Sequence, residues 1–86
     1  MAEKINFFEG VSDAYNGLGY IYLRRGNFDK ALEYHQKNLA LAIKIKSDLR
    51  AANAYGGIGG VYSESGEYTK AMENYVLSSR KHQKIG

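Results

Sequence analysis

Apolar residues recur every three or four positions along almost the whole chain. Val11, Tyr15, Leu18 and Tyr22 form one stripe, and Phe28, Ala31, Leu32, His35, Leu39, Ala42 and Ile43 form a second. Ala51, Ala54, Tyr55, Ile58 and Tyr62 make a third, and Tyr68, Ala71, Met72 and Tyr75 a fourth. Such spacing is the mark of one apolar face on an α-helix. The absence of proline and the scarcity of β-branched residues favour helix throughout. Breaks fall between the stripes. Gly26 supplies a left-handed helix end and Asn27 a cap for the next helix, Ser47-Asp48 is a second capping signal, and Gly66-Glu67 a third turn. Asn6-Phe7-Phe8-Glu9 has the form of a capping box, which predicts that the first helix starts just after Asn6. The pattern predicts an all-α chain of four antiparallel helices arranged as two helix-turn-helix hairpins.

The two hairpins are copies of one unit. Shifted by 40 residues, positions 11–46 match 51–86 at 11 of 36 places, among them Ala14/Ala54, Tyr15/Tyr55, Gly17/Gly57, Gly19/Gly59, Tyr22/Tyr62, Gly26/Gly66 and Ala31/Ala71. A fixed period of this length denotes a repeated supersecondary unit whose neighbours bury each other's apolar faces. One domain over 1–86 results, with a first repeat at about 8–47 and a second at about 48–86. Small residues account for the packing inside each unit. Gly19 and Ala31, and again Gly59 and Ala71, fall where the two helices of a hairpin face each other, and a bulky side chain there would hold the backbones apart. Tyr15, Leu18 and Tyr22 fill the space around that approach.

These residues carry a family resemblance. Leu18-Gly19-x-x-Tyr22…Gly26-x-Phe28-x-x-Ala31 and Ile58-Gly59-x-x-Tyr62…Gly66-x-Tyr68-x-x-Ala71 resemble the tetratricopeptide repeat, twice over and across nearly the whole chain. The 40-residue period is similar to the long-helix variant found in cell-polarity scaffolds. The resemblance implies two tandem hairpins forming a segment of a right-handed α-solenoid, and a non-enzymatic protein-interaction function. Two departures stand out: Asn38 and Ser78 occupy the usual small position late in each second helix, and Gly56, Gly57, Gly59 and Gly60 crowd into one helix. Each of those glycines costs roughly 0.5–1 kcal/mol against alanine, so only tertiary packing can hold that helix. A phosphate-cradling loop is a poor alternative, because no Gly-Lys-Ser/Thr follows and no strand precedes.

Composition narrows the chemistry. The net charge of +3 is scattered along helix faces, so neither a nucleic-acid surface nor a membrane partner is expected. No cysteine is present, which excludes disulfides and thiolate metal sites and agrees with a reducing, cytoplasmic setting. His35 and His82 lie on different helices with no carboxylate at ligand spacing, and no nucleophile motif or set-apart carboxylate pair occurs. No enzyme activity, metal or cofactor is therefore expected. His35 stands where the family usually has an aromatic residue, and is expected to be packed with its ring nitrogens satisfied.

Surface is what remains. Carried over by position, the resemblance places ligand contacts on the concave face of each first helix: Asp13, Asn16, Tyr20, Leu23 and Arg24 in the first repeat, and Asn53, Gly56, Gly60, Ser63 and Glu64 in the second. Asn16 can donate to and accept from an extended backbone, Tyr20 offers a rigid amphipathic contact, and Arg24 can pair a carboxylate with two prongs. Tyr20 replaces the Asn of the chaperone-tail clamp, so a chaperone C-terminus is not the expected ligand. Lys4-Ile5 matches Lys44-Ile45 and Lys84-Ile85, so the first ten residues read as the tail of a preceding second helix. Two accounts of the ends stay open: a piece of a longer array, or a small protein that covers open ends by self-association. Accordingly, two functions compete: a module that holds a peptide or partner helix in its groove, and a repeat unit whose main partner is another copy, a homo-oligomer.

Overall fold

A computed structural model describes the backbone of residues 2–85 and the side chains of residues 7–83. Four helices follow one another: α1 (Ala2–Arg24), α2 (Phe28–Lys44), α3 (Asp48–Glu64) and α4 (Tyr68–Ile85). No strand occurs among the described residues, and the all-α, double-hairpin architecture stands as the periodicity predicts.

The turns follow the capping chemistry. At each helix end a left-handed residue closes the backbone: Gly26 at φ 77°, Lys46 at 57° and Gly66 at 87°. The amides three residues beyond the ends of α1, α2 and α3 reach back across the last turn, Asn27 to Tyr22 (2.9 Å), Ser47 to Ala42 (2.9 Å) and Glu67 to Tyr62 (2.8 Å). These bonds satisfy carbonyls that the helix leaves without partners. Asn27 and Ser47 then cap the next helix, each side chain accepting from the third residue on, Lys30 and Arg50, at 3.2 Å.

The start of α1 differs from expectation. The helix already runs through Asn6, so Asn6 is no cap, and its side chain lies outside the described residues. Ala2–Glu9 belong to α1 itself rather than to the tail of a separate preceding helix. The reason is local: the position equivalent to the capping Ser47 is Phe7, and nothing else in the segment interrupts the helix.

Packing is sequential. α1 lies on α2, α2 on α3 and α3 on α4, while α1 also touches α3 directly and α2 does not touch α4. The first helices of the two hairpins thus sit closer together than the second helices do, and α1 and α3 together form one face of the molecule, its inner face. The core is mostly small: Ala31, Ala42, Ala51, Ala52, Ala54, Ile58, Val61 and Ala71.

Several residues of the apolar stripes are not core. Tyr68 (71% exposed), Met72 (70%) and Tyr75 (47%) open onto solvent because no described element covers the outer side of α4, and Ile43 (58%) borders a surface cleft with Asp48 and Lys81. Conversely, Tyr34, which lies off the apolar stripe of α2, is what Tyr15 and Tyr22 pack on. It stacks on Tyr22 at 5.6 Å with the rings 4° from parallel, and lies 6.2 Å from Tyr15.

Candidate functional site

The glycine-rich helix α3 explains how the two hairpins lock. His35 of α2 is fully buried in the seam between them. On one side its ring lies on Gly19, where an added Cβ would stand 2.5 Å from Nε2; on the other it lies on Gly57, where a Cβ would overlap the ring. The facing bulk that Gly19 and Gly59 accommodate is therefore the aromatic ring of the second helix, with Tyr75 filling the His35 role on Gly59. Packing holds α3 in place, as its weak propensity requires.

The His35 nitrogens are not satisfied, contrary to expectation: neither Nδ1 nor Nε2 finds a hydrogen-bond partner. Both neighbouring surfaces are bare glycine backbone in mid-helix, which offers no free donor or acceptor. Burial holds the His35 imidazole below its usual pKa and keeps it neutral. The edge of Tyr20 meets it at 4.9 Å with the rings 77° apart. Tyr20 thereby joins the seam to the inner face.

Three polar links fix the first helices. Arg50 of α3 donates to the Asp13 carboxylate (2.6 Å), the Glu9 carboxylate (3.4 Å) and the Glu9 backbone carbonyl (3.2 Å), tying α3 to α1. Hydrogen bonding to Asp13 raises the Arg50 pKa still further above its ordinary value. In the first hairpin the buried Ser12 hydroxyl donates to the Asn38 side-chain oxygen; in the second, Ser78 donates to the Ala52 carbonyl at 2.8 Å. Asn38 and Ser78, the departures from a small residue, are the partners of these bonds.

The ten groove candidates fall on the paired first helices. Asp13, Asn16, Tyr20, Leu23 and Arg24 share one face of α1; Asn53, Gly56, Gly60, Ser63 and Glu64 share the matching face of α3, and α1 touches α3. None of the ten is fully buried. Their environments differ. Asp13 is engaged by Arg50, although its side chain stays largely exposed. Asn16 is half-buried, and its Oδ1 has no partner among the described residues. Tyr20, Arg24, Asn53 and Glu64 are exposed. A Cβ at Gly60 would meet nothing within 4 Å, whereas at Gly56 it would lie 3.7 Å from the Ser78 hydroxyl, in ordinary contact with α4. Ser63 borders the apolar face of α4 instead, beside Tyr68, Met72 and Tyr75.

Among the described residues no group of three or more His, Asp or Glu side chains could hold a metal ion, and no helix is long and apolar enough to cross a membrane. The profile of the tetratricopeptide repeat matches residues 10–80. The chain belongs to the tetratricopeptide repeat family. Comparisons with curated proteins and with solved structures find no match. As tetratricopeptide repeats, the two hairpins have the general role of that family, mediating protein–protein interaction.

Proposed function

We propose that this tetratricopeptide repeat pair is a non-enzymatic interaction module that holds an extended peptide or partner helix against the inner face formed by α1 and α3. The observation that carries the reading is Asn16. Its half-buried amide has an acceptor oxygen with no partner among the described residues, on the same helical face as the exposed Tyr20 and Arg24. A polar group held away from water without a partner is costly, and turning the Asn16 amide outward onto a ligand backbone N–H relieves that cost. Gly60, the repeat equivalent of Tyr20 on α3, has open space where a side chain would stand and lets a ligand backbone approach α3 closely.

The test begins by selecting a binder for the purified chain from a random peptide library, then measuring its affinity for Asn16→Ala and Arg24→Glu. Each variant should weaken binding by tenfold or more, about the effect of one lost hydrogen bond or charge pair in a desolvated contact, with helicity unchanged. Binding that survives both substitutions would remove the inner face as the ligand site.

A second reading, association with another copy, has its own observation. The outer side of α4 presents Tyr68, Met72, Tyr75, Val76 and Leu77 to solvent as one apolar surface. An uncovered patch of that kind is the ordinary mark of an interaction site.

A further inference from the structure

The internal repeat says what fits on α4. Every position of the seam between α2 and α3 has an image 40 residues away, at one open end of the chain or the other. His35, fully buried, maps onto Tyr75, which is 47% exposed; Val61 (2%) maps onto Ile21 (48%). Ala54 is buried and its image Ala14 is exposed. The seam glycine Gly57 is buried under His35, and its image Gly17 is exposed with nothing within 4 Å of where a Cβ would be.

Tyr75 is thus a half-finished seam. It lies on Gly59 as His35 lies on Gly19, but its other side has no counterpart of Gly57. Gly17 is the complementary half: a glycine inside a long helix, unfavourable there, with nothing among the described residues within 4 Å of where its Cβ would be. Ala14, Gly17 and Ile21 lie at helical spacing on one face of α1, as Ala54, Gly57 and Val61 do on α3.

We propose that the α4 face of one copy of this chain receives the α1 face of a second copy, head to tail, with Tyr75 seated on Gly17. The contact continues the α2–α3 seam between molecules, and it extends the layer of first helices, lengthening the inner face. It is heterologous, so it does not close at a dimer, and the assembly grows with concentration. The proposal rests on the self-association reading and specifies its geometry. Val76 and Leu77, where α2 has the exposed Gln36 and Lys37, widen the apolar surface beyond that seam.

The experiment is sedimentation equilibrium of the full chain across a wide concentration range, together with two variants. Gly17→Gln blocks the head; it adds its side chain where the isolated chain has open space, so the fold should persist. Met72→Glu blocks the tail at a residue 70% exposed. The wild type should associate reversibly beyond a dimer. Each variant alone should require at least about tenfold higher concentration to associate, while an equimolar mixture of the two forms a 1:1 dimer through the one intact head and tail. Circular dichroism confirms that both variants remain helical. A wild type that stays monomeric overturns the proposal and the self-association reading together. A wild type that associates while Gly17→Gln changes nothing overturns only the head-to-tail geometry, and points to α4 pairing with α4.

Discussion

Two glycines at equivalent positions, one open and one clamped, allow packing to be separated from helix propensity. Gly17 and Gly57 both lie inside helices, so replacing either with alanine gains about 1 kcal/mol from propensity alone. At Gly17 nothing stands within 4 Å of the new methyl group, and the gain should appear undiminished. For a domain of this size it corresponds to a rise in Tm of roughly 4–8 °C. At Gly57 the new Cβ overlaps the His35 ring, which cannot withdraw because its far side rests on Gly19 and it is fully buried. Forcing a methyl group into such a seam costs about 1–3 kcal/mol, so Gly57→Ala should be neutral to destabilising by about 2 kcal/mol. The difference between the two variants is the packing contribution alone.

Urea unfolding followed by circular dichroism at low micromolar protein, below any assembly, measures both variants. The decisive addition is the His35→Ala background. With the ring gone, Gly57→Ala should become as stabilising as Gly17→Ala, giving a coupling of about 1–3 kcal/mol between positions 35 and 57. If Gly57→Ala stabilises the unmodified chain as much as Gly17→Ala does, the reasoning is refuted, because the seam must then have room that the structure denies it.

Two further outcomes follow from buried polar groups. Asn38→Ala leaves the Ser12 hydroxyl buried without its partner and should cost about 1–3 kcal/mol, whereas the Ser12→Ala, Asn38→Ala double variant should recover most of it; thermal melts of the three variants check this. Acid should weaken the fold through His35: the pKa of its folded imidazole is lowered by burial, so the unfolded chain takes up the proton more readily. Stability is therefore full above the ordinary histidine value of 6.5 and is lost as pH falls from there towards the lowered folded value. Melts across that window should show a slope for the wild type that shrinks in His35→Phe; an unchanged slope would assign the effect to other groups.

Much of the fold was legible because helix ends are written locally. Gly26, Asn27, Ser47 and Gly66 act within five residues of themselves, and their bonds are the ones the spacing implies. The glycine cluster was legible as a demand for packing, since no other force could keep it helical. Longer-range features were not. The Arg50 link joins residues 37 and 41 positions apart, and the Ser12–Asn38 bond spans 26; neither has a sequence period to reveal it. Periodicity likewise identifies an apolar face without saying whether a neighbour covers it, which is why Met72 and Tyr68 lie on the predicted apolar stripe and are exposed all the same. His35 read correctly as packed and incorrectly as satisfied, because the residues flanking it in space, Gly19 and Gly57, are glycines far apart in sequence.

The choice of histidine at that place has a physical consequence. In the second hairpin the same position holds Tyr75, which is partly exposed on the outer side of α4. A phenol is longer than an imidazole, and its hydroxyl has to project past the backbones it lies on to find a partner. Imidazole is the smaller ring: it fits the gap between Gly19 and Gly57, leaving two nitrogens unbonded and the proton excluded. That makes the seam between hairpins tight at neutral pH and acid-sensitive. By contrast, a seam built from Tyr75 on Gly17 of a second copy contains no titrating imidazole at its centre. If the chains stack, acid should therefore loosen the joint within each copy before the one between them, so that acidification below neutrality lowers helicity without first dissolving the assembly.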